Sequence, residues 1–290
     1  MGDPTEIIKA IVLGIVQGAT EFIPISSSAH LVIVPWLFGW TDASVDYTLF
    51  FDLVLHWGTL LALLLVFWRD FWALLVGWLR SFTPAGRGNA YGRIAWLLIL
   101  ATLPAVAAGL AFKDAIAAQM TPEGDAAGAI ARLSAIQLII TGIILAASEW
   151  WSQRMTAART LEQMRWVDSL VVGVGQALAL LPGISRSGAT IAGGLLCGIR
   201  RDEAARFSFL LSAPAIFGAG LLQLVDVAQN DMGQIAGNLL PLLVGFVVSA
   251  VVGMLAIRFL LSYLRNRTLY IFSIYCFVFG FAIIALTYLR

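Results

Sequence analysis

GISRSGATI at residues 183–191 and ISSSAHLV at residues 25–32 are two small, hydroxyl-rich turns set into otherwise apolar runs. Each closely follows a proline, Pro182 in one case and Pro24 in the other, and each opens into a new apolar segment. The later turn carries Arg186; the earlier one carries His30, with Glu21 just upstream. Ionisable groups at membrane depth are costly and mark functional sites by default. Two turns built alike therefore point to one site assembled from two half-elements.

The surrounding chain supports a membrane setting. Of 290 residues, 60% are hydrophobic and 12% charged, with a mean hydropathy of +0.89. Soluble domains average about 45–50% apolar and about 25% charged. The net charge of +1 gives no bulk attraction to nucleic acid. Cys197 and Cys276 lie in apolar runs without metal-ligand spacing and read as packing residues. The N-terminus lacks the basic region of a cleavable signal peptide and carries Asp3 and Glu6.

Outward from the turns, residues 6–38 and 169–199 each make two short apolar pieces around a break. Neither piece is a comfortable span of about 20 residues, so each pair is expected to be a re-entrant helix–turn–helix. Broken backbone at that depth is tolerated only inside protein or along a wet cavity. Spans are expected at 47–68, 94–112 (kinked at Pro104), 133–151, 205–225, 238–258 and 269–289, with 71–79 lying at the interface. Asp52 and His56, one helical turn apart in the first span, read as a polar pair facing the bundle interior.

The halves match without gaps at an offset of 159: Gly14 on Gly173, Gln17 on Gln176, Ile25 on Ile184, Ser26 on Ser185 and Ser28 on Ser187, with Ser27 falling on Arg186. Loops 80–93, 152–168 and 258–267 each carry three arginines, whereas loops 113–132 and 226–234 carry Asp114, Glu123, Asp125, Asp226 and Asp231. By the positive-inside rule the first three face the cytoplasm. The re-entrant pairs then enter from opposite sides, an inverted-topology repeat with its site near the midplane. The expected fold is an all-α polytopic membrane protein, a single membrane domain over 1–290. It has six transmembrane helices and two re-entrant pairs, with repeats at 1–151 and 169–290.

Helices starting near Ser27 and Ser187 would point free N–H groups and the positive dipole end into the space between the turns, an anion site. Gly183 and Gly188 let a ligand approach the backbone. Ser26, Ser27, Ser28, Ser185, Ser187 and Thr190 add donors, and Arg186 adds a planar fork suited to phosphate oxygens. Gln17 and Glu21 are one turn apart and face the same way, and Ser27 and His30 are an i,i+3 pair. A serine, a base and a cationic stabiliser are the parts for attack on phosphorus. The residues leave open whether Ser27, His30 or water attacks. Carboxylate and amide oxygens beside a diphosphate could instead hold a hard divalent metal.

GIVQGATEFIPISSSAHL (14–31) and LPGISRSGAT (181–190) resemble the two signature motifs of the bacterial undecaprenyl-diphosphate phosphatase family of the bacitracin-resistance type. The resemblance extends along the whole chain. It implies an inner-membrane hydrolase that removes the terminal phosphate of a C55 isoprenoid diphosphate, with its site open to the periplasm. The product is the lipid monophosphate that carries cell-wall precursors. It implies Ser27, His30, Glu21 and Arg186 as catalytic. Gln17, Ser26, Ser28, Gly183, Ser185, Ser187 and Thr190 would bind the diphosphate. It also implies a divalent cation, Mg²⁺ or Ca²⁺, with Glu21 as the carboxylate for it. Many members have Glu where this chain has Gln17, so Glu21 must serve a metal alone or with water and the diphosphate. The rival reading is an inverted-repeat lipid or anion transporter or flippase, which does not need Glu21, Ser27 and His30 beside the arginine. Monomer and homo-oligomer are both compatible with the sequence.

Overall fold

A computed structural model describes residues 4–40, 45–86, 88–112, 126–155, 158–230 and 239–289. The described residues form α-helices with two short 3₁₀ turns, and the chain is an all-α polytopic membrane protein. In order, α1 spans Pro4–Phe22, α2 Ser27–Phe38, α3 Val45–Val66, α4 Trp68–Ser81, α5 Ala90–Ala111 and α6 Ala126–Ser152. They are followed by α7 Trp166–Leu178, α8 Arg186–Leu196, α9 Arg201–Asn230, α10 Leu239–Leu264 and α11 Tyr270–Leu289.

Five helices (α5, α6, α9, α10 and α11) are long and apolar enough to cross a membrane, and the α3–α4 pair makes a sixth if counted as one bent span. Their outward faces carry large exposed apolar side chains such as Leu103, Leu222, Leu255 and Phe281, as expected of lipid-facing surface. Where the two re-entrant pairs are expected, the structure has helices around a break: α1 with α2, and α7 with α8. The segment expected at 71–79 is longer. Beyond a 76° bend after Val66, α4 runs from Trp68 to Ser81. It exposes Trp68, Trp72, Leu75 and Leu79 and buries Leu74 and Gly77. The acidic residues Asp114, Glu123, Asp125 and Asp231, and Arg87 among the basic ones, lie outside the described residues.

Packing interlocks the two halves of the chain. The helix α1 lies mainly against α10, and α7 lies mainly against α5, while α6 pairs with α11 and α3 lies mainly against α10 and also touches α9. Glycine makes the first two approaches possible. A Cβ on Gly14 would press on Gly245 O and Val248, and one on Gly173 would collide with Ala101 O. The principal core lies between these layers, with Phe22 and Phe67 packed on Phe209.

One end of the bundle is tied by ion pairs. Glu149, fully buried on α6, takes Arg201 from α9 and accepts from Leu269 N at 3.1 Å. Arg206 on α9 pairs with Asp70 on α4. Arg159 bonds Asp168 at 2.8 Å and also the Cys197 carbonyl, which pins the loop before α7 against the end of α8. Cys276 is fully buried in a cluster with Leu138 and Ile283.

Candidate active site

The two turns meet. Ser26 caps α2, its hydroxyl accepting from Ala29 N at 3.3 Å, and Ser185 caps α8, accepting from Gly188 N at 3.0 Å. The turns are joined directly by Gly183 N donating to Ser28 Oγ at 3.1 Å. Gly183 has φ +93°, and a Cβ there would strike Gln137. The starts of α2 and α8 are thus brought side by side.

Glu21 is the hub of that space. Its Oε2 accepts from Ser27 Oγ at 2.6 Å and from Gln17 Nε2 at 3.0 Å. Its Oε1 accepts from Arg186 Nη2 at 2.8 Å. A second Arg186 nitrogen donates to Ser212 O at 3.1 Å, fixing the guanidinium against α9. The result is a charge-assisted chain, Ser27–Glu21–Arg186, that runs from one half of the protein to the other.

These groups line a cavity of about 560 Å³. Glu21, Ser26, Ser27, Ser28, Ser185 and Arg186 are on its wall, together with His56, Thr20, Thr102 and Gln176. Beyond them the lining turns apolar, through Ala105 and Val106 of α5 and Pro214 to Leu222 of α9.

Other residues singled out in the motifs sit behind this wall. Gln17 is buried against Glu21. Ser187 is bonded to Ser185 at 3.2 Å, and Thr190 to Ser208 at 2.6 Å, which fastens α8 to α9. His30 is the notable case. Its Nδ1 lies 2.7 Å from the Ser26 carbonyl, which can only accept, so Nδ1 carries the proton. Its Nε2 lies 2.7 Å from the Tyr275 hydroxyl, and the ring stacks beside Tyr275 and Phe279 of α11. The i,i+3 spacing allows Ser27 and His30 to meet, but Ser27 turns to α1 while His30 turns back under its own helix start.

The imidazole on the cavity wall is His56. Its Nδ1 lies 2.7 Å from the Asp52 carbonyl, again fixing the proton there, and its Nε2 lies 3.8 Å from Glu21 Oε2. The sequence placed His56 in the bundle interior beside Asp52; the structure adds it to the site. The available signal was its ionisable side chain at membrane depth in the first full span.

The donor set does not fit a divalent cation held by protein alone. Glu21 is already neutralised by Arg186, Gln17 replaces a second carboxylate, and the described residues contain no group of three or more His, Cys, Asp or Glu able to hold a metal. A hard cation takes six or more oxygens.

Comparison with known proteins places the chain in a family. The family model described as bacitracin resistance protein BacA matches residues 10–282. The chain belongs to this family. A protein of Pelotomaculum thermopropionicum named undecaprenyl-diphosphatase is 40% identical over 284 residues, covering 98% of both chains. Relatives of the same name from Desulforudis audaxviator (41%, covering 97% of this chain and 98% of the other) and Moorella thermoacetica (40%, covering 98% and 99%) are similarly close.

Proposed function

We propose that this protein is an undecaprenyl-diphosphate phosphatase, hydrolysing the C55 isoprenoid diphosphate to its monophosphate and inorganic phosphate. The observation that carries this is the Ser27–Glu21–Arg186 chain at the polar end of a cavity whose remaining wall is apolar. A hydroxyl 2.6 Å from a carboxylate is an activated nucleophile. A guanidinium beside it answers the charge on a transferring phosphoryl group. The apolar lining suits a polyisoprenyl chain.

In the mechanism we favour, Ser27 Oγ attacks the terminal phosphorus as Glu21 takes its proton. The bond from that phosphorus to the bridging oxygen breaks, and the oxygen leaves on undecaprenyl phosphate. Water then attacks the phosphoserine; Glu21 returns its proton to Ser27 Oγ as the bond from that oxygen to phosphorus breaks, and phosphate departs carrying the protons of the water. Arg186, Ser26, Ser28, Ser185 and the amides of α2 and α8 hold the phosphoryl oxygens. His30 acts from behind by fixing the Ser26 turn. In the variant without a covalent intermediate, Glu21 deprotonates water and Ser27 stays a donor.

We also favour the inverted repeat, the inner bacterial membrane and a site facing the periplasm. The matched helix starts, the crosswise packing of α1 on α10 and α7 on α5, and the loop arginines support them. In that setting the reaction would recycle the cell-wall lipid carrier and confer bacitracin resistance.

The test is phosphate release from undecaprenyl diphosphate by purified protein in detergent, with Ser27→Ala and Arg186→Ala alongside. Release that vanishes in both variants is expected. Bound lipid without release by the wild type would favour a transporter or a binding protein instead.

A further inference from the structure

The chain has two histidines, and they are held differently. Both ring nitrogens of His30 are occupied, one by the Ser26 carbonyl and the other by the Tyr275 hydroxyl. His56 is held at one nitrogen only. Its Nδ1–H goes to the Asp52 carbonyl at 2.7 Å, so Nε2 keeps a lone pair. The side chain is 33% exposed on the cavity wall, and its Nε2 makes no hydrogen bond among the described residues. Its charged neighbour, Glu21 Oε2, is 3.8 Å away, too far for one. A ring oriented at Nδ1 and open at Nε2 is the arrangement of a general base.

The proposed chemistry has a place for a second base. When water attacks the phosphoserine, Glu21 already carries the Ser27 proton and acts as the acid. The ionisable side chains on the cavity wall, among the described residues, are Glu21, Arg186 and His56. Arg186 does not give up its charge, which leaves His56. Its position agrees, because Ser27 Oγ at 2.6 Å and His56 Nε2 at 3.8 Å approach the same Glu21 oxygen. The imidazole thus stands beside the reacting hydroxyl, on a different helix and without bonding it. We infer that His56 Nε2 is the base that takes a proton from the attacking water. As the bond from the water oxygen to phosphorus forms and the bond to Ser27 Oγ breaks, one water proton moves to Nε2. In the same step the Glu21 proton moves to Ser27 Oγ. The imidazolium then stands beside a carboxylate that has just regained its charge. It hands its proton to the departing phosphate, and both residues are reset. The inference rests on the phosphatase function and the phosphoserine proposed above.

The experiment compares wild type with His56→Gln, which keeps a polar side chain without a base, and with His56→Ala. For each, the melting temperature and the time courses of undecaprenyl phosphate and inorganic phosphate from undecaprenyl diphosphate are followed. Covalent phosphate on Ser27 is measured after acid quench. Both variants should release a single equivalent of undecaprenyl phosphate and then stall, with phosphate retained on Ser27. Steady-state kcat should fall by about 10²–10⁴-fold. Added imidazole should restore phosphate release in His56→Ala. The initial burst counts the folded protein, so a variant lost to misfolding is told apart from one lost to chemistry. A kcat within about threefold of wild type in both variants would overturn the assignment. So would the loss of both products together, without covalent phosphate, in variants that melt like wild type. A wild type that binds the lipid and releases neither product would instead sink the phosphatase function itself, and this inference with it.

Discussion

The turn before α2 and the turn before α8 share a plan and differ in how they hold it. In the second, the left-handed backbone falls on Gly183, at φ +93°, and the cap Ser185 is relaxed at φ −65°. In the first, the cap itself is left-handed, with Ser26 at φ +69°, the one described non-glycine residue at positive φ. Such a residue stores about 1–3 kcal/mol and persists only when its surroundings hold it. His30 does the holding, bonding the Ser26 carbonyl from below and being braced in turn by Tyr275. At the matching position of the second turn stands Ala189, and no tether is needed there. Chemistry divides in the same way. Glu21 and Ser27 belong to the first turn, and their counterparts are Leu180 and Arg186. One half supplies acid and hydroxyl, the other the cation that balances them.

The largest effects should come from breaking that division. Ser27→Ala and Arg186→Ala should each lower kcat/KM by at least about 10³-fold, measured as phosphate release. Arg186→Ala should also melt earlier, because it leaves Glu21 buried without its counter-charge, a loss of about 3–5 kcal/mol for such pairs. Full activity in either variant would separate the two turns.

Next comes the holding of the turns. Gly183→Ala should cost about 1–3 kcal/mol in a denaturation series, from its positive φ and the collision with Gln137. Ser26→Gly should be near neutral in the same assay, since glycine relieves the backbone and is itself a fair cap. Equal penalties at the two positions would show that the turns are held alike after all.

Smaller still is the contrast at His30. His30→Asn retains a nitrogen able to donate to the Ser26 carbonyl and should keep activity within about tenfold. His30→Ala should fall by about a further tenfold. If Asn were no better than Ala, an imidazole acting on substrate would be the better account. The least effect is expected from cations: the substrate-free protein should show no melting shift with Mg²⁺ or Ca²⁺ at concentrations that leave its detergent unchanged. A clear rise would restore a protein-held metal site at Glu21.

Much of this was legible in the sequence because caps and breaks are local. Ser26, Ser185, Pro24 and Pro182 announce helix starts whatever lies around them, and Glu21 and Arg186 stand out at membrane depth. The spans were legible from length and hydropathy. What escaped depends on pairing across the chain. Nothing near His30 says that Tyr275 will take its second nitrogen, so the i,i+3 spacing suggested Ser27 instead. His56 and Gln176 sit in apolar helices like any others, and only the assembly of α1, α3, α5, α7 and α9 around one cavity gives them a common address. The bend between α3 and α4 was partly legible from Arg69 and Asp70, which no span keeps at its centre without partners; Arg206, the partner of Asp70, lies far along the chain.

The crosswise packing also orders events during synthesis. The helix α1 leaves the ribosome first, but its principal neighbour, α10, is next to last. Until α10 arrives, the face bearing Gly14 and Gly18 has no seat and Glu21 has no fixed place opposite Arg186. A nascent chain stopped before Leu239 should therefore leave α1 open to labelling at an introduced cysteine, protected in the full protein. The capacity for catalysis would appear late and all at once, when the far end of the polypeptide closes over its beginning.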